Sequence, residues 1–433
     1  MKKPPKATFS IKIEFVEIIT FDSDFTPVHK KYNAALGFIF VTLLVDIIGW
    51  GVVIPVFPKL ITQLIHGNLS DAATYGGWIN ALYAIMQFLF APVLGGLSDK
   101  YGRRPVLLLS LFGFGVDYFV MANAPTILWL FIIRIFSGIA GASITTASAY
   151  IADISTPEKR AQNFGIIGMA FGLGFIIGPA IGGLLGQYGV RVPFYFCAGL
   201  SLLNFIYGYF VVPESLAPEH RRNFDWKRAN PIGTPLQLRK YPVVLGMVGS
   251  IFCIYLAAHA TQSTWVYYTM YKFKWDEKMV GWSLACVGLM VSIVQGGLIR
   301  VVNPWLGNKN SVYVGFILYI IAFALFAFAS NTLMMFLFII PYCMAGITGP
   351  ALQGIMSGQV PPNAQGELQG GLTSIMSLTS IIGPLLMTYL FSYFTREGNF
   401  YFPGAPFMAG AILTLIGTVL AMRSLSKTMK NVS

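Results

Sequence analysis

The sequence predicts an all-α membrane protein of twelve transmembrane helices in two pseudo-symmetric six-helix bundles. Three observations predict it. The 433 residues are 55% hydrophobic and only 11% charged, against about 25% charged in a soluble domain. Apolar runs of roughly 20 residues recur, each enough to cross ~30 Å of hydrocarbon as a helix. The two halves of the chain repeat short motifs at a nearly constant offset. Because the apolar runs are continuous rather than alternating, and lipid leaves no partner for an unpaired backbone group, the runs are helices rather than barrel strands.

The spans fall in order at 34–56, 77–97, 105–122, 127–150, 163–186 and 193–212, then 243–265, 279–299, 311–329, 332–352, 367–393 and 404–424. Residues 1–33 form an N-terminal extension; Lys12, Glu14 and Glu17 interrupt its apolar stretch, so it lacks the core of a signal peptide. The first bundle occupies 34–212. A linker at 213–242 carries Pro213, Pro218, Pro231, Pro235 and Pro242. The second bundle is 243–424, and a tail at 425–433 closes the chain. Ile176-Ile177-Gly178-Pro179 returns as Ile381-Ile382-Gly383-Pro384, and Gly102 before Arg104 returns as Gly307 before Lys309, both at an offset of 205. Gly77-Trp78 returns as Gly281-Trp282 at 204. Agreement of three offsets implies duplication, and duplicated bundles place a binding site between them near the midplane.

With both termini cytoplasmic, Lys59, Arg191, Lys272, Lys274, Lys278 and Arg396 lie on the opposite face and Arg134 lies inside a span. Every other Lys and Arg of the 29 is then cytoplasmic, which is the positive-inside pattern. That placement accounts for the net charge of +12 without nucleic acid. Cys197, Cys253, Cys286 and Cys343 sit in apolar runs without ligand spacing, so they are packing residues, with no disulfide framework and no metal. No phosphate-binding Gly-x-x-x-x-Gly-Lys-Ser/Thr loop is present, so ATP is not the direct energy source. No enzyme motif and no cofactor motif is found.

The first motif is Gly95-Gly96-Leu97-Ser98-Asp99-Lys100-Tyr101-Gly102-Arg103-Arg104-Pro105, in the turn between the second and third spans. Gly102 permits a tight reversal, Pro105 suits the first turn of the next helix, and Asp99 favours that helix's dipole. A basic loop that merely sets topology is the alternative. Asp153, at the cytoplasmic end of the fourth span, is the expected partner of the arginines; it could equally be a solvated helix-end carboxylate. The second motif, on the fifth span, comprises Gly165, Gly174, Gly178, Pro179, Gly182 and Gly183. Small residues at this spacing let another backbone approach closely, and Pro179 permits a bend.

The third constellation is charge inside lipid. Asp46, Asp117 and Arg134 lie within the first, third and fourth spans, where each costs on the order of 2.5–3.5 kcal/mol. Helix rise puts each of them about 18 Å from the cytoplasmic face, in one layer. A carboxylate whose burial and arginine partner change during a conformational cycle can load and release a proton; a permanent Asp–Arg tie between helices is the alternative. Gln87, His259, Gln262, Gln295, Gln353 and Gln369 are candidate substrate contacts. Interhelical hydrogen bonding is the competing role for each.

The loop 95–105 resembles the signature of the major facilitator superfamily, and the fifth-span pattern looks like that of its drug–proton antiporters. Leu82-Tyr83-Ala84, Phe90-Ala91-Pro92, Pro350-Ala351-Leu352-Gln353-Gly354 and Leu368-Gln369-Gly370 are similar to the tetracycline efflux subgroup, and the likeness runs from about residue 35 to 395. The resemblance implies a latch role for Asp99, Arg103 and Arg104. It also implies proton-coupled export of a small amphipathic drug, with tetracycline a candidate, by a monomer in the bacterial cytoplasmic membrane. Its implied partners are the drug, protons and the lipid bilayer. Two positions depart from the subgroup: Tyr319 stands where many members carry a ninth-helix acid, and Val291 where some carry a histidine. A nutrient symporter and a non-transporting membrane scaffold on the same fold are the alternative functions.

Overall fold

The computed structural model describes residues 27–141, 143–156, 160–224, 242–360 and 365–430. Among these every regular element is helical. Most of the proposed N-terminal extension, most of the linker and the end of the tail lie outside the described residues.

In the first half the helices are α1 (Pro27–Val53), α2 (Phe57–Ile65), α3 (Leu69–Tyr101), α4 (Arg103–Asn123), α5 (Ile127–Ala140), α6 (Ser143–Ile154), α7 (Arg160–Gly186) and α8 (Val192–Val211). In the second half they are α9 (Pro242–Phe273), α10 (Glu277–Ile293), α11 (Ile299–Phe328), α12 (Thr332–Met344), α13 (Thr348–Gly358), α14 (Gln365–Thr395) and α15 (Ala405–Lys430). Among the described residues ten stretches are long and apolar enough to cross a membrane, and one of them, Glu277–Phe328, holds two crossings. It reverses at Gly307. α9, 32 residues and therefore about 48 Å long, completes twelve.

Local chemistry sets the helix starts. Asn68, Asp276 and Asn331 each accept a hydrogen bond from the backbone N–H three residues on, capping α3, α10 and α12. Gly102 (φ 106°, ψ 160°) and Gly307 (φ 74°, ψ 156°) adopt nearly the same left-handed turn, 205 residues apart, so the duplication extends to backbone geometry. The same offset relates two helix breaks. α5 and α6 part at Gly141, and a 3-10 turn at Ala345–Ile347, centred on Gly346, parts α12 from α13.

The start of α1 and the end of α15 share one face, termed here the terminal face, and the α3, α10 and α12 starts lie on the far face. On the terminal side each bundle has its own core: Phe38, Leu43, Leu107 and Tyr150 in the first, Met247, Phe316, Leu352 and Leu368 in the second. On the far side a single core joins both bundles, running from Val52 and Tyr118 to Trp265, Phe326 and Phe391. Two seams complete that closure. α3 meets α14, where Ser70 and Thr395 hydroxyls stand 2.6 Å apart and a Cβ on Gly77 would lie 3.1 Å from the Pro384 carbonyl. α7 meets α10 from Gly183 against Gly281 down to Gly172 against Ser292. Nearer the terminal face, Gly165, Gly168, Gly296 and Gly297 have nothing within 4 Å of their Cβ positions. The molecule is thus closed on the far face and parted on the terminal face.

Candidate functional site

Asp117 is carried on α4 and Arg134 on α5, with Arg134 Nη1 4.0 Å from Asp117 Oδ2. Asp117 is 2% exposed. A fixed tie would be bidentate at about 2.7–2.9 Å. Here the pair is at the outer limit of an ion pair, and neither Asp117 Oδ1 nor Arg134 Nε has a hydrogen-bond partner among the described residues. Arg134 is held mainly by soft groups: Nη2 donates to Met121 Sδ at 3.3 Å, and the guanidinium lies 5.5 Å from the Phe57 ring and 5.7 Å from Tyr83. Such cation–π contacts strengthen once water is excluded. The arrangement permits the carboxylate and the guanidinium to separate without stripping a full set of hydrogen bonds.

Asp46, on α1, is half-buried. It shares its surroundings with the other two charges, since Tyr83 and Tyr118 each lie within electrostatic reach of Asp46, Asp117 and Arg134. Tyr118 packs its ring on Gly49, which draws α4 against α1. At the offset of 205, Asp117 and Arg134 correspond to Ala322 and Ile339, both fully buried and apolar. Tyr319 stacks on Phe323 and meets Tyr342 edge-on, so aromatic packing fills the second bundle where the first holds charge.

The loop after α3 forms a separate polar cluster. Arg103 Nη1 meets Asp99 Oδ1 at 2.5 Å and donates to Ser98 Oγ at 2.6 Å, and Nε donates to Asp153 Oδ2 at 3.1 Å. Arg104 Nη2 donates to the Tyr209 carbonyl at 2.6 Å. Among the described residues the hydrogen-bond and ion-pair partners of Asp99, Arg103 and Arg104 belong to the first bundle or to the start of the linker (Glu214, Arg222), none to the second bundle, and a cleft of about 620 Å³ opens beside the cluster. Glu214 was not singled out from the sequence. Its carboxylate accepts from the backbone N–H groups of Arg103 (2.8 Å), Arg104 (3.3 Å) and Leu216 (3.0 Å), capping α4 from the end of α8. Only a chain reversal after α8 brings it there, a contact no local spacing announces. A Glu214→Ala protein is expected to lose about 1 kcal/mol, read as a lower melting temperature in detergent. An unchanged melting temperature would count against the cap.

The α7 glycines divide. A Cβ on Gly174 would meet Ile47, one on Gly178 would lie 2.9 Å from Gly51 Cα, and one on Gly182 2.8 Å from Val52 Cα, all on α1. Gly183 and the Pro179 carbonyl face Gly281 on α10. Gly165 touches neither seam.

The candidate substrate contacts also divide. Gln87 Nε2 donates to the Gly141 carbonyl at 3.0 Å and reaches Tyr83 Oη at 3.5 Å, bracing the break between α5 and α6. His259 is buried, with its ring against Gly383 of α14. Gln353 Nε2 donates to Gln369 Oε1 at 3.0 Å, joining α13 to α14. Gln262 and Gln295 are exposed. Tyr83, which links Arg134 to Gln87, was legible only as part of a motif.

Two six-helix bundles around buried charge, shut on one face and parted on the other, define the chain as a membrane transporter of the alternating-access kind. The family profile "Major Facilitator Superfamily" matches residues 39–370 and 250–431. The tetracycline resistance protein, class C, of Escherichia coli is 38% identical over 386 residues, covering 89% of this chain and 96% of the relative. The class B protein of the same organism is 37% identical, covering 83% and 89%. Among solved structures, the human organic anion transporter MFSD10 (TETRAN) superposes with a TM-score of 0.67 at 23% identity, over 90% of this chain and 99% of that one. The nucleoside transporter NupG superposes with a TM-score of 0.72 at 15% identity, over the same shares. These two likenesses carry the fold alone. The chain belongs to the major facilitator superfamily, in the group of the tetracycline resistance proteins.

Proposed function

We propose that this chain is a proton-coupled antiporter that exports a small amphipathic drug, a tetracycline first among candidates, from a bacterial cytoplasm. The observation that carries the reading is the loose Asp117–Arg134 pair, buried in the bundle whose partner is apolar at the same positions. The near-full-length likeness to proteins named for tetracycline resistance supplies the substrate class.

The terminal face is cytoplasmic in this reading, and the conformation is the one that takes up drug. Asp46 and Asp117 carry the proton. Arg134 favours the ionised form when near and allows protonation when displaced. Inward proton movement supplies about 2.3 kcal/mol per 100 mV. The cluster of Asp99, Arg103, Arg104 and Asp153 engages the second bundle when the cytoplasmic side closes; here its bonds run to its own bundle and to the start of the linker. Gly174, Gly178, Gly182 and Gly183 with Pro179 keep α7 close to α1 and α10. Gln262 and Gln295 keep their amides available to drug, whereas Gln87, Gln353 and Gln369 are engaged in helix ties. The protein works as a monomer without ATP.

In everted vesicles carrying an imposed acid interior, a tetracycline added outside should be taken up and should release protons from the lumen. Drug and proton moving in the same direction would overturn exchange. Normal export by both Asp46→Asn and Asp117→Asn would overturn the assignment of the proton carriers.

A further inference from the structure

Among the described residues two ion pairs, Lys59–Glu277 and Asp71–Arg396, join the bundles at the far face, and they differ in kind. Arg396 Nη2 lies 3.3 Å from Asp71 Oδ1, with side chains 64% and 40% exposed. Such a rim pair contributes little. Lys59 Nζ lies 2.6 Å from Glu277 Oε1, and the Glu277 side chain is only 7% exposed. Glu277 opens α10, and its side chain lies on Gly186 at the end of α7. The carbonyl end of α7 is a poor neighbour for a carboxylate. Lys59 supplies the opposing charge, so losing it would leave a buried carboxylate unpaired.

Lys59 sits on α2, two residues after Phe57. α2 is short and firmly seated: Leu60 and Ile61 are fully buried, Pro58 fixes its start, and Thr62 Oγ1 donates back to the Pro58 carbonyl at 2.9 Å. Two residues apart on a helix is roughly 200° of rotation, so Phe57 and Lys59 leave opposite sides of α2. The Phe57 ring faces the Arg134 guanidinium at 5.5 Å, and Lys59 reaches across to Glu277 in the second bundle. One rigid nine-residue helix therefore touches both the buried charge pair and the tie that shuts the far face.

We infer that α2 is a coupling lever: the Lys59–Glu277 pair is the principal outer-gate tie, and Phe57 links its strength to the position of Arg134. The link to proton loading rests on the transport reading above; the tie itself does not. When Asp117 is neutralised, Arg134 loses its partner, the ring stacked on it shifts, and Lys59 moves with the helix. A proton taken up at the far face and delivered to the cytoplasm requires that the neutral form favour far-face closure.

The test is a distance measurement in the full chain in lipid nanodiscs. The four cysteines are replaced by serine and spin labels are placed through Tyr188→Cys and Phe400→Cys, exposed far-face positions on opposite bundles. Lys59→Met should raise the far-face-open to closed ratio on the order of tenfold. Lys59→Glu should do the same, and adding Glu277→Lys should restore the parent distribution, which also shows that the protein is folded. Parent-like distributions in both single variants, or no restoration in the double variant, would overturn the tie. Asp117→Asn should shift the distribution toward closed, and Phe57→Ala should abolish that shift. A shift that survives Phe57→Ala overturns the lever. A Phe57-dependent shift of opposite sign supports the lever and counts against the transport direction.

Discussion

An Asp117→Asn protein is expected to insert and fold yet lose drug-driven proton exchange by on the order of a hundredfold or more, the scale set by a positioned proton-transfer group. The asparagine keeps the shape of the side chain, and the 4.0 Å separation from Arg134 means that no tight bidentate bond is lost. Stability should therefore change little. Arg134→Ala is the informative contrast. It leaves a carboxylate that is 2% exposed without its cation, at a cost of about 3–5 kcal/mol in the ionised form. That variant should lose both exchange and thermal stability, whereas Asp117→Asn loses exchange alone. The pair of measurements is proton release in everted vesicles and melting in detergent. Equal loss of melting temperature in both variants would mark the pair as an architectural tie.

Gly182→Ala is expected to destabilise the protein by about 1–3 kcal/mol through overpacking. The added methyl would lie 2.8 Å from both the Cα and the carbonyl carbon of Val52, which are backbone atoms and cannot turn aside. Either α1 and α7 separate or the far-side core that includes Val52 repacks. Gly165→Ala provides the control, because open space surrounds that position. It should melt as the parent does, and a helix-propensity gain could make it slightly more stable. If both substitutions cost the same, contact with α1 is not what constrains Gly182.

The crossings were legible because each is a long apolar run, and the duplication because its motifs kept their offset. Several features were not. The span predicted at 127–150 is two helices that part at Gly141 and end at Ile154; glycine is common enough in membrane helices to conceal a break. The offset of 205 to Gly346 was the signal available. The spans predicted at 279–299 and 311–329 are separate helices, as expected, but helical residues fill most of the gap between them, and the two meet at a kink at Gly307 (φ 74°, ψ 156°). α2 is shorter than a crossing and was absent from the predicted spans. Its amphipathic run, Phe57 to Ile65, is visible in retrospect. α1 starts at Pro27, ahead of the expected 34. For the site, the three buried charges stood out because lipid makes charge costly. Tyr83, Phe57, Glu214 and the Lys59–Glu277 pair did not, since each acts on a helix far along the chain and sequence spacing does not say which helices face one another.

The contact of α7 with α10, the seam between the bundles, sets glycine against backbone: Gly183 on Gly281, Gly281 on the Pro179 carbonyl, Gly288 on the Phe175 carbonyl. Surfaces of this sort have no teeth. Where interlocking side chains would have to disengage before one body could turn on the other, bare main chain can glide, much as a polished journal turns in its sleeve. The barrier to turnover would then be set by the few charged clasps at the rims, and changing those clasps should alter speed more readily than changing the greasy bulk of either bundle.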